Sequence, residues 1–526
     1  MADIKIVGGK GPVDEGRGHK HHKDHERHEH ECPVCLVNPG KAGDTFWPPF
    51  PANAVVTRTI YARANGSDHH GKGTAEHPYR TFQRAILDVP PTPPPGYSYI
   101  VDVTGIGVEI FPPQYCLPQI TFPTLVYEND SSIPFFYSGA GLRVRALPQL
   151  ASTVSPADAT ISATDAATVA GDPDTNLVAL TISAPRTSWT AANLVGKQVI
   201  RTVGSTTPTP WSANSVIYGV VGGNQLLLTS DPTSFNGGSG SLTLAPGEEI
   251  QIVEPSATFQ ADPLNFPIDI VNDPFAGIVS TVNSIAFQGI NFTQPNPATS
   301  ALGILNCPQA PLELCNVAGL SGQGQAGTYW LYCNGCNITS FLASVNCSTF
   351  MAGCLLTGPS FYMVNATPQS FFDCVLSGCG SYSSVQQNGL FIESNTAFAN
   401  CLIENSVPSF SNAAGDAIFQ ASGSIQLDHV QINGAAGDGV HVVGSLAQAG
   451  LIHVTGSGQG DFGVQAENGA QVSVDATTTV TGASGDTQSG SLAPTTYAQV
   501  AAGNAYDLPP NAASINVATG TRIFQS

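Results

Sequence analysis

The chain has 526 residues, a formal net charge of −20 and only 18 Lys plus Arg. That length exceeds one ordinary globular core, although a solenoid grows without that limit. The acidic balance argues against nucleic acid as a partner, no stretch has the apolar length of a membrane span, and 55 Gly and 39 Pro beside three Met favour strands and turns over helices.

Residues 1–54 read as a separate head. Gly8-Gly9-Lys10-Gly11-Pro12 is a flexible start, and a His-rich stretch runs from His19 to His30. In His28-Glu29-His30-Glu31-Cys32-Pro33-Val34-Cys35, an extended backbone puts His28, His30 and Cys32 on one side and Glu29 and Glu31 on the other. Cys35 completes a Cys-x2-Cys knuckle, so His28, His30, Cys32 and Cys35 form a candidate tetrahedral N2S2 metal set, with zinc first on ligand softness. The alternative is a solvated, charge-mixed tail. Trp47-Pro48-Pro49-Phe50-Pro51 reads as a stiff extended linker. The residues Met1–Gly8 lack the apolar stretch of a secretory signal, so the expectation is synthesis in a cytosol, with the 12 cysteines as thiols or ligands.

Residues 55–147 are expected to hold a capping helix and the first coils. Thr59-Ile60-Tyr61-Ala62-Arg63-Ala64-Asn65-Gly66-Ser67-Asp68 reads as a strand and a turn. Within Gly73-Thr74-Ala75-Glu76-His77-Pro78-Tyr79-Arg80-Thr81-Phe82-Gln83-Arg84-Ala85-Ile86, Pro78 suits the first turn of a helix. Phe82, Ala85, Ile86 and Val89 share one helical face, and Pro90 ends the element. A short amphipathic helix there would plug an open coil end. His69, His70 and His77 read as surface residues. This segment resembles the opening of pectin-lyase-like right-handed parallel β-helix proteins, among them phage tailspikes. The resemblance covers about thirty residues and speaks to fold far more than to function.

From 148 to 259 the rhythm breaks into hairpin-like pieces. Leu194–Ile200, Ser215–Val220, Gln225–Leu228 and Glu249–Val253 look like strands, with a turn at Gly222-Gly223-Asn224. The expectation is a small antiparallel β domain, barrel or sandwich, inserted into the early coils.

Residues 260–482 repeat. Leu314-Cys315-Asn316-Val317, Gly335-Cys336-Asn337-Ile338, Gly353-Cys354-Leu355-Leu356, Asp373-Cys374-Val375-Leu376 and Asn400-Cys401-Leu402-Ile403 share a Cys two residues before an aliphatic one, at spacings of 21, 18, 20 and 27. Looser matches continue at Leu427-Asp428-His429-Val430 and Ala449-Gly450-Leu451-Ile452. A period near twenty with short apolar runs predicts a parallel β-solenoid whose coils share one core. Small polarisable thiols suit an inward ladder, and in-register neighbours lack disulfide geometry. Cys333-Asn334-Gly335-Cys336 also has the spacing of a redox or metal pair. Residues 483–526, rich in Ala, Pro, Thr and Asn, are expected to form a C-terminal cap or arm. The fold class is therefore all-β: a right-handed parallel β-helix with an inserted small antiparallel β domain and a short N-terminal capping helix.

Catalytic signals are weak. Thr202 to Thr521 holds 19 Asp plus Glu and no Lys or Arg. Pectate-lyase-type elimination, which uses a basic residue, is not expected there, whereas hydrolysis by paired carboxylates needs only two acids. Asp373, Glu393, Glu404, Asp416, Asp428, Asp438 and Glu467 lie in or between coils, each read first as a solvated turn residue and only second as catalytic. Gly437-Asp438-Gly439-Val440-His441 mildly resembles segments near polygalacturonase sites, but the matching basic Arg-x-Lys is absent. Tyr329-Trp330, Phe361-Tyr362 and Phe371-Phe372 are candidates for sugar stacking, with core packing the favoured reading.

The resemblance implies a structural or receptor-binding tailspike or tail fibre of a phage or phage-like particle. Such a protein would be a virion component made in the host cytoplasm, a homotrimer docking on baseplate or tail proteins through its head and contacting host surface polysaccharide. In a trimer, His-x-His from three chains would also suit one axial metal. The alternatives are a polysaccharide depolymerase on the same fold and a non-viral surface adhesin.

Overall fold

The computed structural model describes residues 56–122 (save 114 and 116), 141–154, 164–165, 178–202, 215–230, 249–261, 268–271, 285–295, 301–305, 309–323, 330–345, 348–358, 361–364, 369–378, 390–393, 396–399, 401–404, 415–474, 478–490, 499–502, 515–517 and 522–525. The head, with its candidate ligands His28, His30, Cys32 and Cys35, lies outside them.

The solenoid consists of two large parallel sheets wrapped around one core. A 14-stranded sheet begins with Val56–Tyr61, Tyr97–Asp102 and Leu142–Arg145, then climbs coil by coil to Arg522–Gln525. A 20-stranded sheet holds two further rows, one through Leu355–Thr357, Val375–Ser377 and Leu402–Glu404, the other through Leu390–Glu393, Ile418–Gln420 and Val440–Val443. The rows merge where Asn316–Gln323 and Asn337–Val345 each run through both, with a register shift after Ala318. One apolar cluster extends from Ile60 to Val480 along this core. The strands described after residue 482 continue the same parallel pairing. This is the parallel β-helix that the repeat predicted.

The cysteine ladder is present as spacing predicted. The amides of Asn337, Leu355, Val375 and Leu402 donate to the carbonyls of Cys315, Cys336, Cys354 and Cys374, 2.9–3.0 Å away, so the cysteines stand in register. All five, with Cys401, are free and fully buried. Each Sγ also lies 3.2–3.6 Å from the carbonyl two residues before it, where the thiol donates. A left-handed corner residue precedes them: Leu314, Gly335, Gly353 and Asp373 have φ of 51, 58, 59 and 51°. Cys333 lies on the 14-stranded sheet instead, between Leu312 and Met351 in register. Burial pushes its thiol well above the ordinary range, which opposes the thiolate that redox or metal chemistry needs. The two looser repeats shift register. The next rungs after Cys401 are Val430 and Val454, behind the left-handed corners His429 and His453, two and four residues later than the pattern placed them. Without a cysteine, the aliphatic alternation alone does not fix the corner.

The capping helix is shorter than predicted, spanning Phe82–Ile86. Thr81, not Pro78, starts it: the Thr81 hydroxyl accepts the Arg84 amide at 3.1 Å. Pro78 lies outside because Asp68 accepts the amides of Arg80 and Thr81, and Tyr79 donates to Tyr61, holding that stretch extended. The buried Glu109 carboxylate accepts the first helical amides, of Phe82 and Gln83. Phe82 enters the coil and meets Phe259, ring centroids 4.9 Å apart. His69, His70 and His77 are exposed, as read.

The insertion is a single seven-stranded antiparallel sheet, in the order Gln149–Val154, Glu249–Glu254, Gln198–Thr202, Ser215–Val221, Gln225–Leu228, Val178–Thr181, Thr164–Asp165. Leu194 ends a one-turn helix rather than starting a strand, and Gly196 (φ 86°) separates that helix from Gln198–Thr202. The sheet lies on the outer wall of the cysteine coils. Ala179 and Val216 pack on Leu355, Val375 and Leu402. The Thr229 hydroxyl donates to the Gly353 carbonyl at 2.8 Å, and Gln198 Nε2 to Asn316 Oδ1 at 2.6 Å. The outward position reads Leu355, Val375, Leu402 under this cover, then Gln431, Thr455 and Thr479 beyond it.

Candidate functional site

Three successive coils build the one cluster of buried acids and imidazole that the described residues show. Ile418, Val440 and Val464 are in-register core positions, and the residues two before them are Asp416, Asp438 and Phe462. Each acid ties its coil to the next. Asp416 Oδ1 accepts the Asp438 amide at 2.9 Å, and Asp438 Oδ1 accepts the Phe462 amide at 2.8 Å. The coils meet closely: a Cβ on Gly437 would stand 2.6 Å from Asp416 Oδ1, and one on Gly439 2.6 Å from the Gly463 carbonyl. Here Gly-Asp-Gly is a demand of close approach.

The second oxygen of each acid turns to His441. Nδ1 lies 2.9 Å from Asp416 Oδ2 and 3.6 Å from Asp438 Oδ2. Nε2 faces Glu467 Oε2 at 3.9 Å, an ion-pair distance beyond hydrogen bonding. Gln465 Nε2 donates to Glu467 Oε1. Phe419 meets the imidazole in a T, ring centroids 5.1 Å apart and planes at 86°. Exposure divides the cluster: the side chains of Asp438 and Asp416 keep 4% and 7%, those of His441 and Glu467 15% and 23%. The acids are a floor, and His441 with Glu467 forms the rim.

Burial alone would lower the His441 pKa. The Asp416 and Glu467 carboxylates, joined by the charge of Asp438, outweigh it and push it up to about 10. Burial, then the Asp416 charge, pushes Asp438 up to about 7, against the Phe462 amide and the imidazolium. His441 holds Glu467 below its ordinary value, against burial. At neutral pH this is an imidazolium facing the Glu467 carboxylate, with Asp438 near the middle of its titration. Asp416, Asp438 and His441 also offer three metal-ligand atoms within 4.8 Å of one another. Binding there would require Nδ1 to release its proton, and the imidazolium already supplies the positive charge that the acids need.

The other sequence candidates fall elsewhere. Asp373 is a buried corner residue before Cys374. Asp428 ends Gly423–Asp428 on the 14-stranded sheet and bonds its neighbour His429, Oδ1 to Nδ1, at 2.7 Å. Glu393 and Glu404 end the strands Leu390–Glu393 and Leu402–Glu404, and their side chains lie outside the described residues. Of the weak candidates, the structure brings together Asp416 and Asp438, with Glu467. Sequence named His441 only as the end of the Gly437–His441 segment, and did not name Phe419 or Gln465. The signal was the shared frame of Ile418, Val440 and Val464, which places them on successive coils.

No family model matches the chain, and no curated protein matches it. Among solved structures the chain is similar to the Gp54 tailspike of Acinetobacter baumannii bacteriophage AP22 in complex with A. baumannii capsular saccharide, at 8% identity over 81% of this chain and 71% of that one, TM-score 0.22. It is also similar to the Pseudomonas phage phi297 tailspike gp61, at 10% over 84% and 67%, TM-score 0.23, and to a glycoside hydrolase, at 9% over 88% and 96%, TM-score 0.26. No helix among the described residues is long and apolar enough to cross a membrane.

Proposed function

We propose that the chain is a tailspike-type attachment protein of a phage or phage-like particle, and that the outer wall around His441 contacts surface glycan. The observation that carries this is the rim itself. The partly buried Phe419 ring stands in a T against a charged imidazole with the Glu467 carboxylate near it, an apolar ring and hydrogen-bonding groups together, a combination suited to sugar. The head, residues 1–54, is the docking module in this reading, with zinc on His28, His30, Cys32 and Cys35, and three chains assemble into one spike. The test is retention of the full chain by host surface polysaccharide, with Glu467→Gln weakening retention. Equal retention of both proteins rejects the rim.

One observation favours hydrolysis as a second reading. Asp438 and Glu467 are pushed apart, one toward the protonated form and one toward the ionised, as an acid–base pair requires. Against it, Asp438 is buried and both its oxygens face groups of the protein. Release of reducing ends from the same polysaccharide, lost in Asp438→Asn, decides for it.

A further inference from the structure

Three histidines follow residue 202, and two of them meet at a corner of the coils. His429 and His453 hold the same place on successive coils. Each follows a strand of the 14-stranded sheet, Gly423–Asp428 or Ala447–Ile452, and precedes a core valine, Val430 or Val454. The His429 amide donates to the Ile452 carbonyl at 3.0 Å, which fixes the register. The two rings stack, centroids 4.6 Å apart and planes 28° from parallel. Both residues are half-buried, and the His429 side chain keeps 40% exposure, so an ion or a reagent reaches the pair from solvent.

The corner itself does not ask for histidine. φ is 52° at His429 and 50° at His453, a left-handed conformation that Gly335 and Gly353 adopt without strain at the same corner of earlier coils. Stacking alone does not explain Asp428 either. Its Oδ1 lies 2.7 Å from His429 Nδ1. A carboxylate oxygen only accepts, so Nδ1 of the neutral ring carries the proton and Nε2, across the ring, presents its lone pair. A carboxylate on the far nitrogen is a common way to orient a metal-ligating histidine. Planes 28° apart converge toward one edge. Two metal–nitrogen bonds of about 2.0–2.1 Å need nitrogens about 3 Å apart, which a small rotation of the rings supplies. The surrounding charge favours a cation, because residues 202–521 carry 19 Asp plus Glu and no Lys or Arg.

We propose that His429 and His453 form a two-histidine site for a divalent transition-metal ion that prefers imidazole, such as zinc, nickel or copper. Asp428 is the positioning residue, and water fills the remaining coordination positions. The ion bridges side chains 24 positions apart in sequence and staples two coils at their corner. The site shares no residue with the head or with the cluster around His441.

The experiment is modification of the full chain by diethyl pyrocarbonate, which acylates accessible imidazole nitrogen, read residue by residue by mass spectrometry after chymotryptic digestion. Residue-level reading separates this pair from the histidines of the head. With zinc in excess over the 12 histidines of the chain, modification of His429 and His453 should slow together about tenfold, as mass action gives at concentrations well above the dissociation constant. Magnesium, which prefers oxygen ligands, should protect neither. His453→Asn, whose new side chain tolerates the left-handed corner, should abolish zinc protection of His429, and His429→Asn should do the same for His453. Asp428→Ala should raise the zinc concentration for half-protection about tenfold. Thermal melts of each variant monitor folding. Zinc protection of His429 that persists in His453→Asn means that each ring binds alone, and overturns the shared site. No protection by zinc, nickel or copper overturns the proposal outright. An unchanged half-protection point in Asp428→Ala overturns the positioning role of Asp428.

Discussion

Asp416 Oδ2 lies 2.9 Å from His441 Nδ1, and Asp416 Oδ1 lies 2.9 Å from the Asp438 amide, so one carboxylate joins two coils through side chain and backbone. Removing it has two separable effects. Asp416→Ala leaves a buried amide unsatisfied and should cost about 1–3 kcal/mol. Asp416→Asn keeps an oxygen for that amide but removes the charge beside His441. Denaturation should therefore rank wild type above Asn above Ala. An Ala variant as stable as wild type would show that the coil junction does not depend on this bond.

The cluster should make stability fall as pH rises. His441 goes from an ordinary 6.5 to about 10. A raised group stabilises the fold fully below its unfolded pKa and loses that contribution as pH climbs through the folded one. Asp438, raised from 3.8 to about 7, acts with the same sign over a lower window. Glu467, lowered, opposes them only in acid, below its ordinary 4.5. Melting temperature should decline from about pH 5 toward pH 10. His441→Gln should flatten the upper half of that decline and Asp438→Asn the lower half, and parallel curves for all three proteins would refute the assignment.

This cluster was half legible in the sequence. Asp416 and Asp438 stood among the candidates, but so did Asp373 and Asp428, and nothing in their local composition separates them. Register does. Asp416 and Asp438 sit two residues before in-register core positions of one row, while Asp373 and Asp428 border corners leading off the 14-stranded sheet. The cysteine frame was legible because each rung must be small and apolar at a fixed place. Glu467 reaches His441 from 26 positions later, a link that depends on coil length rather than on any motif.

The buried thiols should ignore reagents until the fold opens. Cys315, Cys333, Cys336, Cys354, Cys374 and Cys401 are all buried, and burial holds Cys315, Cys354 and Cys374 well above the usual thiol range. Iodoacetamide on the native protein, followed by mass spectrometry, should leave these six unmodified, and denaturant should expose them all. Native labelling at Cys354, mid-ladder, would contradict the stack.

Val375→Asp should detach the inserted sheet while sparing the coils. An unpaired charge at that buried contact is costly. Trypsin reads the outcome directly, since Arg186, Lys197 and Arg201 lie in the insertion and no Lys or Arg follows until Arg522. Faster cleavage at those three sites, with residues 202–522 surviving as one fragment, is the expected pattern. Unchanged cleavage would mean that the contact is dispensable.

Zinc on the head is expected at about one ion per chain for a tetrahedral site. Elemental analysis of protein purified without chelators checks it. Cys32→Ser and His30→Ala should each lower the content, and unchanged content would remove these residues from any metal site.

The inserted sheet leaves its imprint on the coils beneath it. Leu355, Val375 and Leu402 are aliphatic where neighbouring coils carry Gln431 and Thr455 at the same position. Excising residues 149–254 as a tidy module would therefore bare a greasy seam, and the shortened protein would be prone to self-association through it. Anyone trimming the chain to its coils would have to resurface that seam at the same time, most simply with threonine, which keeps the β-branched shape that strands favour.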